Sequence, residues 1–256
     1  MLPRTKLRIT PVNPATSYAL IACDVFQAEI DAFSADGPPP WSSCRFLEMG
    51  LHDQPDVLRA RLQTAIEETE AGAPVDVVAL AYGRCGNGLL GVRAGRVPLI
   101  LPQAHDCISI LLGGVKRHDA LLREHPGTYF YSPGWVRERR VPGPDREAYL
   151  RGLYAERFAD DPEMIDDLVE ADRGMFAHHD CAAYVSVIDA PEARAYCRNC
   201  ARHLGWRHRE PACDPDFLHR LLAGDWEDRD RFLHIAPGEQ IGADETGRLR
   251  AETAGS

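Results

Sequence analysis

The stretch Val75-Asp-Val-Val-Ala-Leu-Ala-Tyr82, followed directly by the turn Gly83-Arg-Cys-Gly-Asn-Gly88, decides the fold. An apolar run that ends in a glycine-rich turn is typical of a strand covered on both faces, as in a parallel sheet. Short apolar runs of the same kind occur at residues 18–23, 44–49 and 97–101. The sequence therefore predicts several buried strands, of which residues 75–82 form a central one.

Segments with helical spacing separate these strands. Apolar residues recur at helical intervals over residues 25–33, and Pro55 begins a second amphipathic segment that ends at Gly72. Further helices are predicted over residues 108–112, 191–204 and 216–223. Because strands alternate with helices, we predict an α/β fold with a mostly parallel, Rossmann-like sheet that helices flank.

The same pattern predicts the domain organisation. Residues 1–242 are expected to form a single α/β domain, with a helical insertion at about 137–178 where acidic, amphipathic segments follow one another. Later strands are predicted at residues 184–188 and 231–236. Residues 243–256 are expected to be a flexible tail.

The composition excludes several classes of function. A formal net charge of −10 argues against a nucleic-acid partner, because phosphate binding needs a surplus of Lys and Arg. The sequence contains no apolar run of about 18 to 20 residues and no signal-peptide pattern, so we expect a cytoplasmic protein without a membrane span. Its eight cysteines are then expected to be thiols or metal ligands, since the cytosol keeps thiols reduced.

Several of these cysteines lie where predicted strands end. Cys23 ends the first strand, Cys85 follows the third, and His105 and Cys107 follow the fourth. Ligands of open parallel sheets bind at the carboxyl ends of the strands, so these side chains are predicted to meet at one edge. Thiolate and imidazole suit zinc or an iron–sulfur cluster. The alternative is that each is an ordinary buried cysteine; His52, after the second strand, is a more remote candidate.

Two further segments are candidates for cofactor binding. Gly83, Gly86 and Asn87 lie in a turn whose backbone N–H groups suit a phosphate, although the turn lacks the Walker lysine and the GxGxxG spacing. Close backbone approach around the neighbouring cysteine is the simpler explanation. Tyr129 and Trp135, in an aromatic, turn-rich stretch, are predicted either to line a pocket for a flat ligand or to pack in the core.

A second set of cysteines has partly metal-like spacing. Cys197-x-x-Cys200, with His203 after it and Cys181 before it, resembles half of a zinc site. Both cysteines of the pair lie in a predicted amphipathic helix, where a spacing of three simply places them on one face. Packing is therefore favoured over a second metal site.

Four segments together resemble a known family. They are Tyr82-Gly-Arg-Cys-Gly-Asn-Gly88, His105-Asp-Cys-Ile-Ser-Ile-Leu-Leu-Gly113, Pro126-Gly-Thr-Tyr-Phe-Tyr-Ser-Pro-Gly-Trp135 and Phe232-Leu-His-Ile-Ala-Pro-Gly238. Their order over roughly residues 18–241 resembles the prokaryotic family called domain of unknown function 1638. The family pattern includes a Cys after the first strand, the Gly-x-Cys-Gly turn and the His-Asp-Cys segment, whereas Gln103 stands where the family usually has Arg.

The resemblance implies a metabolic setting. Members are often encoded beside corrinoid-dependent methyltransferases for methylated amines, which implies a role in methyl-group, or one-carbon, metabolism. One hypothesis is a metal-binding protein in which zinc activates a thiol or an iron–sulfur cluster carries an electron to a corrinoid. The second is a non-catalytic accessory or chaperone for a corrinoid protein or methyltransferase, and a third is a redox protein with a reversible Cys85–Cys107 disulfide.

Overall fold

A computed structural model describes residues 15–35, 37–137 and 139–253. These residues form two compact units. The first contains the described residues up to His118 and from Cys213 onward, and the second contains residues 119–212. Each unit has its own sheet and its own buried core, which the order of strands and helices does not reveal. The single α/β domain expected over residues 1–242 stays a prediction.

Within the described residues, a sheet of five strands runs through the first unit. Its strands are β1 (Tyr18–Cys23), β2 (Ser43–Leu47), β3 (Val77–Ala81), β4 (Leu99–Pro102) and β8 (Phe232–Ile235), and they lie in the order β2-β1-β3-β4-β8. The first four are parallel to one another, and β8 pairs antiparallel with β4. The predicted α/β fold with a mostly parallel sheet is confirmed.

The strand β3 is central because both of its edges are paired and both of its faces are covered. β1 lies along one edge and β4 along the other, and the four residues Val78 to Ala81 are completely inaccessible to solvent. Burial on both faces is what turns a parallel strand into a continuous apolar run. The prediction made from this run is therefore confirmed.

Helices and a hairpin complete the first unit. The helices are α1 (Gln27–Ser34), α2 (Pro55–Ala71), α3 (Cys107–Leu111), α4 (Val115–Glu124) and α9 (Asp216–Ala223). The boundary between the units falls inside α4, after His118. The antiparallel hairpin consists of β9 (Glu239–Ala243) and β10 (Leu249–Thr253).

The second unit has a small parallel sheet of its own. Its strands β5 (Thr128–Tyr131), β6 (Cys181–Tyr184) and β7 (Arg207–Arg209) lie in the order β5-β6-β7. Its helices are α5 (Pro133–Arg137), α6 (Arg146–Tyr154), α7 (Pro162–Met175) and α8 (Pro191–Leu204). Two of them, α6 and α7, occupy the segment for which the sequence predicts a helical insertion.

Two elements differ from their predictions for identifiable reasons. The strand predicted at residues 184–188 is β6, which ends where the prediction begins, because its parallel partner β5 fixes the paired residues as Cys181 to Tyr184. Alanine is only weakly hydrophobic, so Ala182 and Ala183 do not mark residues 181–183 as a strand in the sequence. The expected tail after Gly242 contains β10, which pairs with β9 along five residues, and residues 254–256 lie outside the described part of the chain.

Among the described residues, the structure contains no helix long and apolar enough to cross a membrane. The sequence pattern leads to the same expectation.

Candidate metal site at the strand ends

The carboxyl ends of β3 and β4 are tied together by main-chain hydrogen bonds. The Arg84 N–H donates to the Ala104 carbonyl at 2.9 Å, and the Cys85 N–H donates to the His105 carbonyl at 3.0 Å. Because β1 pairs with β3 on the other side, Cys23 ends at the same edge of the sheet. The structure therefore brings Cys23, Cys85 and His105 to the edge at which the sequence predicts them.

The turn after β3 allows the two chains to approach very closely. A Cβ atom on Gly83 would lie 2.6 Å from the Asp106 main-chain nitrogen, closer than real Cβ atoms come, so only glycine fits. Beyond it, Cys85, Gly86 and Asn87 have φ values of 46°, 62° and 73° in succession. A left-handed conformation at a residue other than glycine stores strain, of about 1–3 kcal/mol each, that is typical of functional sites.

A group of three potential metal ligands lies at this edge. Ligand atoms of His105, His118 and Asp119 are all within 4.8 Å of one another. His118 is 8% exposed, whereas the other two side chains are half-buried. His118 and Asp119 are consecutive residues of α4, and the turn before this helix contains Gly114 at φ 133°, which allows the chain to fold back from α3. The two imidazole rings meet edge to face, with centroids 5.7 Å apart.

Asp106 holds the segment between the two histidines in place. Its carboxylate accepts a hydrogen bond from the Ser109 N–H at 2.8 Å, and the Ser109 hydroxyl oxygen accepts one from the Asp106 N–H at 3.0 Å, which forms a capping box at the start of α3. The other carboxylate oxygen lies 3.8 Å from His118 Nε2. A carboxylate beside a histidine ligand orients the ring and raises the basicity of its nitrogens.

Among the described residues, the group that could hold a metal contains His105 but no cysteine. Cys107 begins α3, and Cys23 and Cys85 instead pack beside Tyr82 at the edge of the hydrophobic core. Of the four ligands predicted from the sequence, this group contains only His105, and metal binding by Cys23, Cys85 and Cys107 stays a prediction. An iron–sulfur cluster would need several thiolates together, and the described residues form no such cysteine cluster.

The electrostatics around Cys85 oppose a reactive thiol. Burial raises the pKa of this thiol well above its ordinary value, and the nearby acidic groups Cys23 and Asp106 raise it further. The residue as a whole is partly exposed, while its sulfur is closely surrounded. Nucleophilic cysteines have lowered pKa values and positive surroundings. Without a cation beside it, Cys85 is therefore protonated at neutral pH.

Residues 46–222 match the sequence pattern of a family described as a protein of unknown function, DUF1638. The matched segment is more than half of the chain. This protein belongs to the DUF1638 family. No curated protein and no solved structure matches it. The resemblance seen in the sequence is confirmed, and the DUF1638 match includes His105, His118 and Asp119, whereas Cys23 precedes it.

Cofactor binding by the turn residues Gly83, Gly86 and Asn87 stays a prediction for this DUF1638 protein. Gly86 and Asn87 are exposed at the tip of the turn, whereas Gly83 is buried against the segment before α3. A Cβ on Gly86 would lie 3.1 Å from the His52 carbonyl oxygen, so the loop after β2 packs beside the turn. His52 contributes main-chain packing there, and its side chain is near Asp53, with 3.3 Å between Nε2 and Oδ1.

The aromatic residues of β5 and α5 lie in the second unit. Tyr129 contacts the rings of Phe176, His179 and Trp206, with centroids 5.5 to 6.4 Å apart. Trp135 packs against the core of the same unit. These contacts are those of a packed aromatic cluster, and binding of a flat ligand by Tyr129 and Trp135 stays a prediction.

The second set of cysteines lies inside the second unit. Cys181, Cys197 and Cys200 are completely buried, and the last two pack against Tyr131 in its core. Burial raises the pKa of Cys200 to about 11 and raises that of Cys197 further. His203, on the same helix, is exposed. These positions are those of cysteines that act as small apolar residues.

The sequence pattern does not mark His118 or Asp119 as functional residues. Only a weak signal exists for them, because the dipeptide His-Asp of residues 105–106 recurs at residues 118–119 on a short helix. The turn at Gly114 brings the two dipeptides together, and the sequence does not reveal how that turn folds the chain.

Proposed function

We propose that this DUF1638 protein binds a divalent transition-metal ion through His105, His118 and Asp119. The observation that carries this proposal is the mutual distance of at most 4.8 Å between the three potential ligand atoms. Two imidazole nitrogens with one carboxylate oxygen suit iron(II), zinc and their neighbours among the divalent metals. Sites with three protein ligands leave coordination positions open for water or substrate, as catalytic sites do.

The exposure of the three ligands supports a catalytic role over a structural one. His118 is buried on the protein side, while His105 and Asp119 retain solvent access. A metal bound there would polarise a substrate oxygen or lower the pKa of a bound water molecule. Structural metal sites are instead closed by four protein ligands.

We further propose that this site serves corrinoid-linked methyl-group metabolism in the cytoplasm. The support is the family resemblance, together with the absence of disulfides among the eight cysteines. A corrinoid protein or methyltransferase is the partner that this setting implies. In the alternative, the protein is a non-catalytic accessory to such a partner.

Calorimetric titration of the metal-free protein with Zn²⁺, Fe²⁺ and Mn²⁺, separately, tests the metal site. Wild type is expected to bind at least one of them, and His118→Ala is expected to weaken that binding by more than about 100-fold, since a ligand is lost. Asp119→Asn should weaken it less. His52→Ala is the matched control, because this histidine lies on a neighbouring loop outside the group. Binding by His118→Ala with wild-type affinity would refute the proposal.

Mixing the metal-loaded protein with methylcobalamin and a thiol tests the setting. Loss of the methyl-cobalt absorption that depends on His118 supports a methyl-transfer role. A tight complex without turnover supports the accessory role. If the protein shows no binding and no turnover, the corrinoid part of the proposal is refuted, and the metal site is unaffected.

A further inference from the structure

The helix α7 of the second unit leaves part of its apolar side uncovered. Along it, apolar residues recur at intervals that place them in one stripe: Met164, Leu168, Ala171 and Met175. Val169, beside this stripe, is buried, whereas Met164 and Met175 are 40% and 70% exposed. Scattered apolar residues are ordinary on a protein surface, but residues aligned in one stripe form a surface against which another helix can pack.

Carboxylates without ion-pair partners border this stripe. Residues 160–170 contain six acidic residues and no basic one. Two of the six pair with arginines, whereas Glu163 and Asp167 have no ion pair within the part of the chain that the structure describes. Asp167 follows Met164 by about one helical turn, so its carboxylate neighbours the stripe. The uncovered surface of α7 is therefore apolar along its middle and negative along one side.

The charge of this surface selects its partner. A two-fold contact between copies of this chain would bring two acidic helices together, and like charges across an interface oppose binding. An anionic lipid surface is repelled for the same reason. A partner that presents Lys or Arg beside apolar side chains matches both features, because its cations pair with the carboxylates while its apolar groups cover the methionines.

We propose that α7 is a docking surface for a basic amphipathic helix of a partner protein. The 14 residues of α7 offer a length of about 21 Å to a helix laid along it. Methionine side chains are unbranched and flexible, so they adapt their shape to the apolar groups of such a helix. This inference does not depend on the metal site, because no residue of α7 belongs to that site.

Fluorescence anisotropy of a labelled amphipathic peptide, made only of Leu and Lys and about four helical turns long, tests the inference against the full-length protein. Wild type is expected to bind the peptide saturably, with an affinity that falls as salt is added. The double variant Met164→Ser, Met175→Ser should bind about 10-fold more weakly or worse, because apolar contact is lost. Asp167→Asn should weaken binding by about 2- to 5-fold and make it less dependent on salt.

Matched controls separate this surface from the general negative charge of the protein. Glu192→Gln removes an exposed carboxylate of α8, Val57→Ser removes an exposed apolar side chain of α2, and both variants should bind the peptide as wild type does. The same peptide with Glu in place of Lys should not bind. Absence of saturable binding by wild type, or wild-type affinity in the double methionine variant, overturns the inference. A dimer in sedimentation velocity that dissociates in that variant also overturns it, because a second copy then covers the surface.

Discussion

Replacement of Gly83 by alanine is expected to disrupt both the fold and the metal site. The new Cβ would lie 2.6 Å from the Asp106 nitrogen and 3.0 Å from the Ala104 carbonyl oxygen, both of which are main-chain atoms that cannot rotate away. The turn must then move away from the end of β4. That movement strains or breaks the hydrogen bonds from Arg84 to Ala104 and from Cys85 to His105.

The size of the effect follows from these contacts. Two main-chain hydrogen bonds contribute about 1 kcal/mol each, and forcing an extra methyl group into a packed site costs about 1–3 kcal/mol. The lower entropy of the unfolded alanine chain returns about 0.4–1 kcal/mol. We expect Gly83→Ala to lower the free energy of unfolding by roughly 2–4 kcal/mol and to weaken metal binding, because His105 moves with its segment.

Urea denaturation of wild type and variant, followed by tryptophan fluorescence, measures the loss; Trp41 and Trp226 lie in the first unit. Gly152→Ala is the matched control, since a Cβ there meets no atom within 4 Å and alanine favours the helix α6 by up to about 1 kcal/mol. A Gly83→Ala protein with wild-type stability and wild-type metal affinity would refute the close approach and the geometry derived from it.

Three further predictions concern the second unit, each measured by urea denaturation. Tyr131→Phe removes the hydrogen bond that the buried hydroxyl donates to the Pro142 carbonyl at 2.7 Å, and should cost about 1–3 kcal/mol; wild-type stability would contradict this. Asp172→Asn leaves the largely buried Arg146 without its bidentate carboxylate partner, and should lower the free energy of unfolding by about 1.5–3 kcal/mol. No loss of stability would mean that solvent already screens the pair. Burial lowers the pKa of His208, so the unfolded chain binds the proton more readily than the folded one. Stability should therefore fall as the pH drops below about 6.5. The His208→Gln protein should lose less stability than wild type between about pH 7 and pH 5, and an equal loss would exclude His208 as the cause.

Much of the secondary structure could be predicted from local pattern. Residues 191–204 and 216–223 are helices with the predicted bounds. Both end at a glycine in the left-handed conformation, Gly205 and Gly224, which is a helix stop that needs no tertiary contact. The apolar run of β3 predicted a doubly covered strand for a similarly local reason, because burial on both faces dictates the composition of the run.

The sequence by itself determined the α/β class, the family and the sheet edge at which chemistry-bearing residues meet. That edge follows from strand direction, so the placement of Cys23, Cys85 and His105 could be predicted. Which side chains come within ligand distance depends on the turn at Gly114 and on the packing of α4. Neither the turn geometry nor the helix packing can be read from the local sequence pattern. For this reason only the tertiary structure paired His105 with His118 and Asp119, set Cys23 and Cys85 beside Tyr82, and divided the chain into two units with separate cores.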